Sequence, residues 1–138
     1  MNGNVVLIPR SVVDQIGIID PIYHHDLGDV DYGLRAQENG IKVYATRIPI
    51  AFGYCNNYCR VRKWGVSLKE RFKKLYSPLG SNPIINFYFR KKHFGIIKAT
   101  TFIIYLFVLN ILPDKIIGLF WGDTYTVSYT HLTLPTIA

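Results

Sequence analysis

Three carboxylates lie close together in the stretch His24–Gly40, whose sequence is HHDLGDVDYGLRAQENG, and they belong to Asp26, Asp29 and Asp31. The stretch predicts a short helix, and Gly40 gives that helix a natural C-terminal stop. On a helix, Asp29 and Asp31 are two residues apart and therefore point to roughly opposite sides. A helix N-terminus favours a charged carboxylate, and a charged carboxylate suits a general base.

The spacing of Asp31 and Arg35 predicts a structural ion pair, because residues four apart lie on one face of a helix. Asp31 and Arg35 would then hold the helix, and Asp29 would be left to face a site. The alternative is that Asp29 only caps the helix. The loop before the helix supplies the other acceptor-side candidates, which are His24, His25 and Asp26.

The segment GDVDYGLRA resembles the D-x-D-x-x-L-R-A segment of family 2 glycosyltransferases, which have the GT-A fold. The flanks NGNVVLIPRSVVDQIGIID and ENGIKVYATRIPIAFG are similar to the same family, so the likeness runs from Asn2 to about Gly53. The resemblance, which is to bacterial, rhamnosyltransferase-like members, implies that Asp29 is the general base of an inverting transfer. It also implies a nucleotide-sugar donor and a glycan or lipid-linked acceptor, used in cell-surface polysaccharide synthesis.

The expected fold class is α/β, with the back half of a GT-A (Rossmann-like) domain followed by a mostly helical basic and apolar extension. Asn4–Pro9 and Ile41–Thr46 predict strands. Between them, Ser11 predicts the cap of a short helix, with Asp14 completing a weak capping box, and Gly17 predicts its end. We expect residues 1–59 to be the acceptor-side part of the catalytic domain. Residues 60–125 would form the extension, and 126–138 a non-native or disordered tail similar to translated sequencing-adaptor sequence.

We expect the nucleotide-binding half to lie outside this sequence, so that these 138 residues alone transfer no sugar. The D-x-D of Asp29–Asp31 already has the acceptor role, and neither common Gly-rich phosphate loop occurs. The resemblance implies a divalent metal, Mg or Mn, whose ligands lie mostly outside this chain. Related enzymes often have a histidine ligand about where Gly53 stands here.

A zinc site is an alternative use of His24, His25 and Asp26 together with Cys55 and Cys59. The two cysteines form C-x3-C, which is not a common structural zinc spacing, and adjacent histidines cannot easily share one ion. We therefore expect no metal site among these residues and interpret the cysteines as buried thiols. Two cysteines are also too few for a disulfide framework, which favours a reducing compartment.

Residues 60–98 hold 11 Lys or Arg residues and one acid, Glu70, within a chain of net charge +7. Ser67–Tyr76 predicts an amphipathic basic helix, and Arg90-Lys91-Lys92 forms a second basic cluster. These features favour an anionic membrane surface as a further partner. A solvated basic face over an aromatic core is the alternative interpretation. A nucleic-acid partner is not expected, because no known module pattern appears.

Phe94–Leu112 is the most apolar stretch, with fifteen uncharged residues between Lys98 and Asp114. That length is short of the roughly 20 residues that cross a bilayer. A helix in the membrane interface fits best, and a buried hairpin helix or a spanning helix are the alternatives. We expect a cytoplasmic protein, peripheral at the inner face of the cell membrane. The second function considered is a non-catalytic membrane-surface or scaffolding module.

Overall fold

The computed structural model describes residues 5–24, 26–48 and 59–121, with only the backbone of Trp121. Predictions for His25, Gly53, Cys55 and the tail 126–138 lie outside these residues. The described chain forms six helices, which are α1 (Arg10–Ile16), α2 (Gly28–Glu38), α3 (Leu68–Leu75), α4 (Pro83–Phe94), α5 (Ile96–Ile111) and α6 (Asp114–Trp121). None of them is both long enough and apolar enough to cross a membrane.

The α/β expectation is wrong for this part of the chain, because the described residues contain helices and no strand. Residues 5–9 and 41–46, which were predicted as strands, have no regular secondary structure. Leu7 is 94% exposed and Tyr44 82% exposed, so neither segment is covered by a neighbour. A strand is stabilised by hydrogen bonds and side-chain pairs with an adjacent strand, and neither segment has one among the described residues. These residues therefore do not form the back half of a GT-A domain.

The first two helices pack together through polar contacts to the end of α1. Helix α1 begins after Pro9 and ends at Gly17, whose φ of 76° is readily adopted only by glycine. The predicted capping box is absent, because the Asp14 carboxylate instead pairs with Arg10 at 2.9 Å. The Tyr32 hydroxyl of α2 donates to the Gly17 carbonyl at 3.0 Å, so α2 is positioned directly on the turn that ends α1.

Helix α3 begins where the sequence predicted, since the Ser67 hydroxyl accepts a hydrogen bond from the Glu70 backbone N–H at 3.3 Å. Its apolar side faces inward, and Leu75 is fully buried. The Phe72 ring lies 5.6 Å from the Phe107 ring of α5. The apolar side of α3 is therefore largely covered by protein, although Leu68 at its start is 51% exposed.

Helices α4 and α5 form a hairpin joined by Gly95, whose φ of 86° allows the chain to reverse. The Arg90 guanidinium of α4 lies 3.5 Å from the centre of the Phe102 ring of α5. Burial against this ring lowers the pKa of Arg90 without discharging it. The helical part of the prediction for Phe94–Leu112 is thus confirmed for Ile96–Ile111.

The C-terminal end of α5 is capped by two buried arginines from earlier in the chain. Arg62 donates to the carbonyls of Leu109 and Leu112, and Arg71 donates to the Leu112 carbonyl at 3.0 Å. Both guanidinium groups also pair with Asp114 in the first turn of α6. Burial raises the pKa of Asp114, but hydrogen bonds from Arg62 and the Gly65 N–H outweigh it and lower the pKa. These arginines satisfy carbonyls that a helix end leaves without partners.

Candidate functional site

Helix α2 carries both carboxylates of the D-x-D, and they lie in different surroundings. The helix begins after Leu27, whose φ of 67° is unusual for a residue with a side chain. Asp29 is in the first turn and is partly exposed. Its carboxylate accepts a hydrogen bond from the Val30 backbone N–H at 2.9 Å. Asp29 thus satisfies one first-turn N–H, as the capping alternative expected, although it does not occupy the cap position itself.

Asp31 is fully buried and is bound by four side chains. One oxygen accepts from Arg35 Nε at 2.9 Å, which confirms the pairing predicted from their spacing. The other oxygen contacts Lys92 Nζ at 2.7 Å, His93 Nε2 at 2.8 Å and the Tyr23 hydroxyl at 3.2 Å. Helix α4 is therefore joined to α2 through one carboxylate.

The electrostatics of Asp31 favour its charged form. Burial raises the pKa of the carboxyl, but hydrogen bonds from Lys92, His93 and Arg35 outweigh burial and lower the pKa below its usual range. The Tyr23 phenol responds in the opposite direction, since burial and the neighbouring Asp31 charge raise its pKa. Asp31 is accordingly an ionised anchor and is unsuited to accept a proton near neutral pH.

Two partners of Asp31 also contact other parts of the molecule. Arg35 donates to the carbonyl of Ile16 at 2.7 Å and to that of Ile18 at 2.8 Å, which ties α2 to the end of α1. The other ring nitrogen of His93, Nδ1, lies 3.1 Å from the Glu38 carboxylate at the end of α2. The orientation of α2 relative to α1 and α4 is thus fixed by charged groups.

A cavity of about 190 Å³ lies between the loop before α2 and the loop between α3 and α4. Its lining residues are His24, Asp26, Tyr76, Ser77, Pro78, Gly80, Asn82 and Ile85. Two of the predicted acceptor-side residues, His24 and Asp26, are therefore brought together at one cavity. The other polar lining residues lie within 76–82, and none of them was a candidate site residue from the sequence.

Asp26 is held in this cavity wall by Arg60, whose guanidinium lies 2.7 Å from the carboxylate. Burial raises the pKa of Asp26 despite the opposing effect of Arg60. The charge of Asp29 raises that pKa further, so the two carboxylates are within electrostatic range of each other. Asp26 and Asp29 thus both lie at the start of α2, separate from the buried Asp31.

The structure separates the predicted site residues into two groups. His24, Asp26 and Asp29 lie at the loop and first turn of α2, whereas Asp31 and Arg35 lie in the buried contact with α4. Lys92 and His93 were missed as partners of Asp31, because they are 61 and 62 residues away and helical spacing predicts only local pairs. Lys92 was interpreted as part of the basic cluster Arg90-Lys91-Lys92, with an anionic membrane or a solvated face as its surroundings, and His93 was given no role.

Metal ligands are not grouped in the described chain, where no set of three or more His, Cys, Asp or Glu side chains could hold an ion. Asp31 is already bound by cationic groups, and Asp26 is paired with Arg60. These residues do not fit a divalent metal, and we place no metal ligand on them. Cys59 is a free thiol, and the remainder of the zinc alternative concerns His25 and Cys55, which are not described.

Comparison of this chain with protein-family models, with curated proteins and with solved structures gives no match in any of the three.

Proposed function

We propose that this chain supplies the acceptor side of a glycosyltransferase, with Asp29 as its general base. Asp29 takes the proton of an acceptor hydroxyl while that oxygen attacks the anomeric carbon of a nucleotide sugar. The bond from the anomeric carbon to the nucleotide phosphate breaks, and the phosphate leaves with the electron pair. The acceptor is a glycan or a lipid-linked sugar, and its hydroxyls contact the wall of the cavity beside His24 and Asp26.

The observation that carries this proposal is the unequal surroundings of Asp29 and Asp31. Asp31 is fully buried among Arg35, Lys92 and His93, so its proton affinity is low and solvent does not reach it. Asp29 is partly exposed in the first turn of α2 and lies within electrostatic range of Asp26, which lines the cavity. A base needs access to its substrate, and Asp29 meets that condition whereas Asp31 does not.

The proposal places neither the donor contacts nor the ligands of the Mg or Mn ion that the resemblance implies on the described residues. That ion would stabilise the diphosphate leaving group when bound. The role of this chain is to hold the acceptor and its base. The contacts of buried Asp31 with Arg35, Lys92 and His93 hold α2 against α1 and α4, and this gives the base on α2 a fixed position.

The test is turnover of the natural gene product that contains this chain, assayed with nucleotide sugars and a glycolipid extract. Asp29→Asn should lower kcat by about 100-fold or more, because positioned general-base catalysis contributes roughly 10²–10⁴-fold. Asp14→Asn is the matched control, since Asp14 is an exposed aspartate that pairs with Arg10 on α1. Equal turnover of the Asp29→Asn protein and the wild type would contradict the proposal.

A non-catalytic membrane-surface module is the second candidate function, and an exposed apolar face on α5 favours it. Ile97 is 79% exposed and Ile104 58% exposed on that helix. If this were the whole function, Asp29→Asn would change nothing that the protein does. The same substitution therefore separates the two candidates.

A further inference from the structure

Helix α5 has an uncovered apolar stripe along one side. The stripe consists of Ile97, Thr101, Ile104, Val108 and Ile111, which are spaced three or four residues apart. The four apolar members are 79%, 58%, 47% and 56% exposed, in chain order. The opposite side of α5 is buried in the protein, where Ala99, Leu106 and Leu109 are at most 1% exposed.

The stripe can leave water without losing a hydrogen bond. Its one polar member, Thr101, donates its hydroxyl to the carbonyl of Ile97 at 2.8 Å, within the same helix. No charged residue belongs to the stripe. A hydroxyl that is already bonded to the backbone costs little to transfer into an apolar environment.

Exposed lysines lie near both ends of the stripe. Lys91 and Lys98 are near its N-terminal end, and Lys115 follows its C-terminal end by four residues. Within 59–121 the acids are Glu70 and Asp114, and Asp114 is bound by two arginines. The surroundings of the stripe are therefore cationic, which complements an anionic surface.

We propose that the α5 stripe is the surface by which this chain lies on an anionic lipid bilayer. Sixteen residues make α5 about 24 Å long, and the helix would lie flat with its stripe among the upper acyl chains. Lys91, Lys98 and Lys115 would contact the lipid phosphates. This assignment agrees with the interfacial helix expected from the sequence for Phe94–Leu112. It differs from the expectation for Ser67–Tyr76, because Leu75 of α3 is fully buried and Phe72 packs on Phe107.

This inference deepens the second candidate function, the membrane-surface module, and uses none of the residues of the α2 site. A second copy of the chain is a less suitable occupant of the stripe, because two surfaces rich in lysine repel each other. An anionic bilayer combines the apolar interior and the negative charge that the stripe and its lysines require.

The experiment is co-sedimentation of the full 138-residue chain with vesicles of phosphatidylcholine alone and with added phosphatidylglycerol. The variant Ile104→Gln/Val108→Gln should bind the anionic vesicles at least about tenfold more weakly, because two exposed apolar side chains no longer enter the bilayer. Leu68→Gln, which changes a half-exposed apolar residue of α3, is the matched control and should bind within about twofold of the wild type. Lys98→Gln should weaken binding about fivefold.

Several results would overturn the inference. One is that the wild-type protein does not bind anionic vesicles. Another is that the stripe variant binds them as the wild type does, and a third is that the stripe variant and Leu68→Gln lose equal vesicle affinity. A wild-type dimer that the stripe variant dissociates, without vesicle binding, would assign the stripe to a second copy. Circular dichroism checks the helices, and the single variant Ile97→Gln replaces the double variant if helicity falls. Asp29→Asn should bind vesicles normally, so this test can fail without affecting the catalytic proposal.

Discussion

The substitution Asp31→Asn should destabilise the fold strongly, because it removes the charge on which Lys92, Arg35 and the His93 ring converge. Asn keeps the shape of Asp and retains an oxygen that accepts a hydrogen bond. It leaves Lys92, His93 and Arg35 without their shared anion inside the protein. Removing one partner from a buried ion pair typically costs about 3–5 kcal/mol.

The surroundings place the expected cost toward the lower end of that range. Arg35 keeps its bonds to the carbonyls of Ile16 and Ile18. The Lys92 side chain is 31% exposed and can turn toward water. We therefore expect a loss of about 3 kcal/mol, a large part of the roughly 5–15 kcal/mol that stabilises a typical domain.

The assay is urea unfolding followed by far-UV circular dichroism, with the free energy of unfolding obtained by linear extrapolation. Asp14→Asn is the control and should cost at most about 1 kcal/mol, because the Arg10–Asp14 pair is exposed. Lys92→Met added to Asp31→Asn should recover part of the loss by removing an ammonium group that has lost its anion. The reasoning is refuted if Asp31→Asn costs no more than Asp14→Asn.

Two further predictions concern pH and backbone packing. The pKa of Asp31 is lowered in the folded chain, so its stabilisation is present above the unfolded value of about 3.9 and is lost as pH falls through the folded value. Acid titration of the unfolding free energy should show a smaller loss below about pH 4 for Asp31→Asn than for the wild type. Gly80→Ala should lower the free energy of unfolding by about 2 kcal/mol or more, because its Cβ would lie 2.1 Å from the Lys74 carbonyl oxygen and 2.5 Å from that of Leu75. Thermal unfolding checks this, and no change in the midpoint would contradict the packing around Gly80.

Local features of this fold were predictable from the sequence. The end of α1 at Gly17, the start of α3 at Ser67 and the Asp31–Arg35 pair all depend on residues within one or two helical turns. The chemistry that decides them is present in the segment itself, as caps, positive-φ glycines and four-residue spacing. Of the residues that line the candidate cavity, only His24 and Asp26 were candidate site residues from the sequence.

The absence of the two predicted strands could not be foreseen from local sequence in the same way. A run of apolar residues such as 5–8 has the composition of a strand. A strand forms only beside a partner strand, and the pattern of one segment does not show whether such a partner exists. The contacts of Asp31 with Lys92 and His93 could not be predicted from the sequence for a related reason. They join residues more than sixty positions apart, and nothing in the local sequence selects one distant cation over another.

The cationic residues of the second half of the chain have two roles, one inside the fold and one at its surface. The sequence shows only their total charge. Arg62 and Arg71 cap α5, Arg90 packs on Phe102, and Lys92 neutralises Asp31. In the folded chain these four side chains make contacts that hold helices together. The charge available to a membrane belongs to the exposed lysines, which include Lys91, Lys98 and Lys115. Membrane affinity should therefore depend on a few lysines beside the α5 stripe, and the net charge of +7 overstates the attraction.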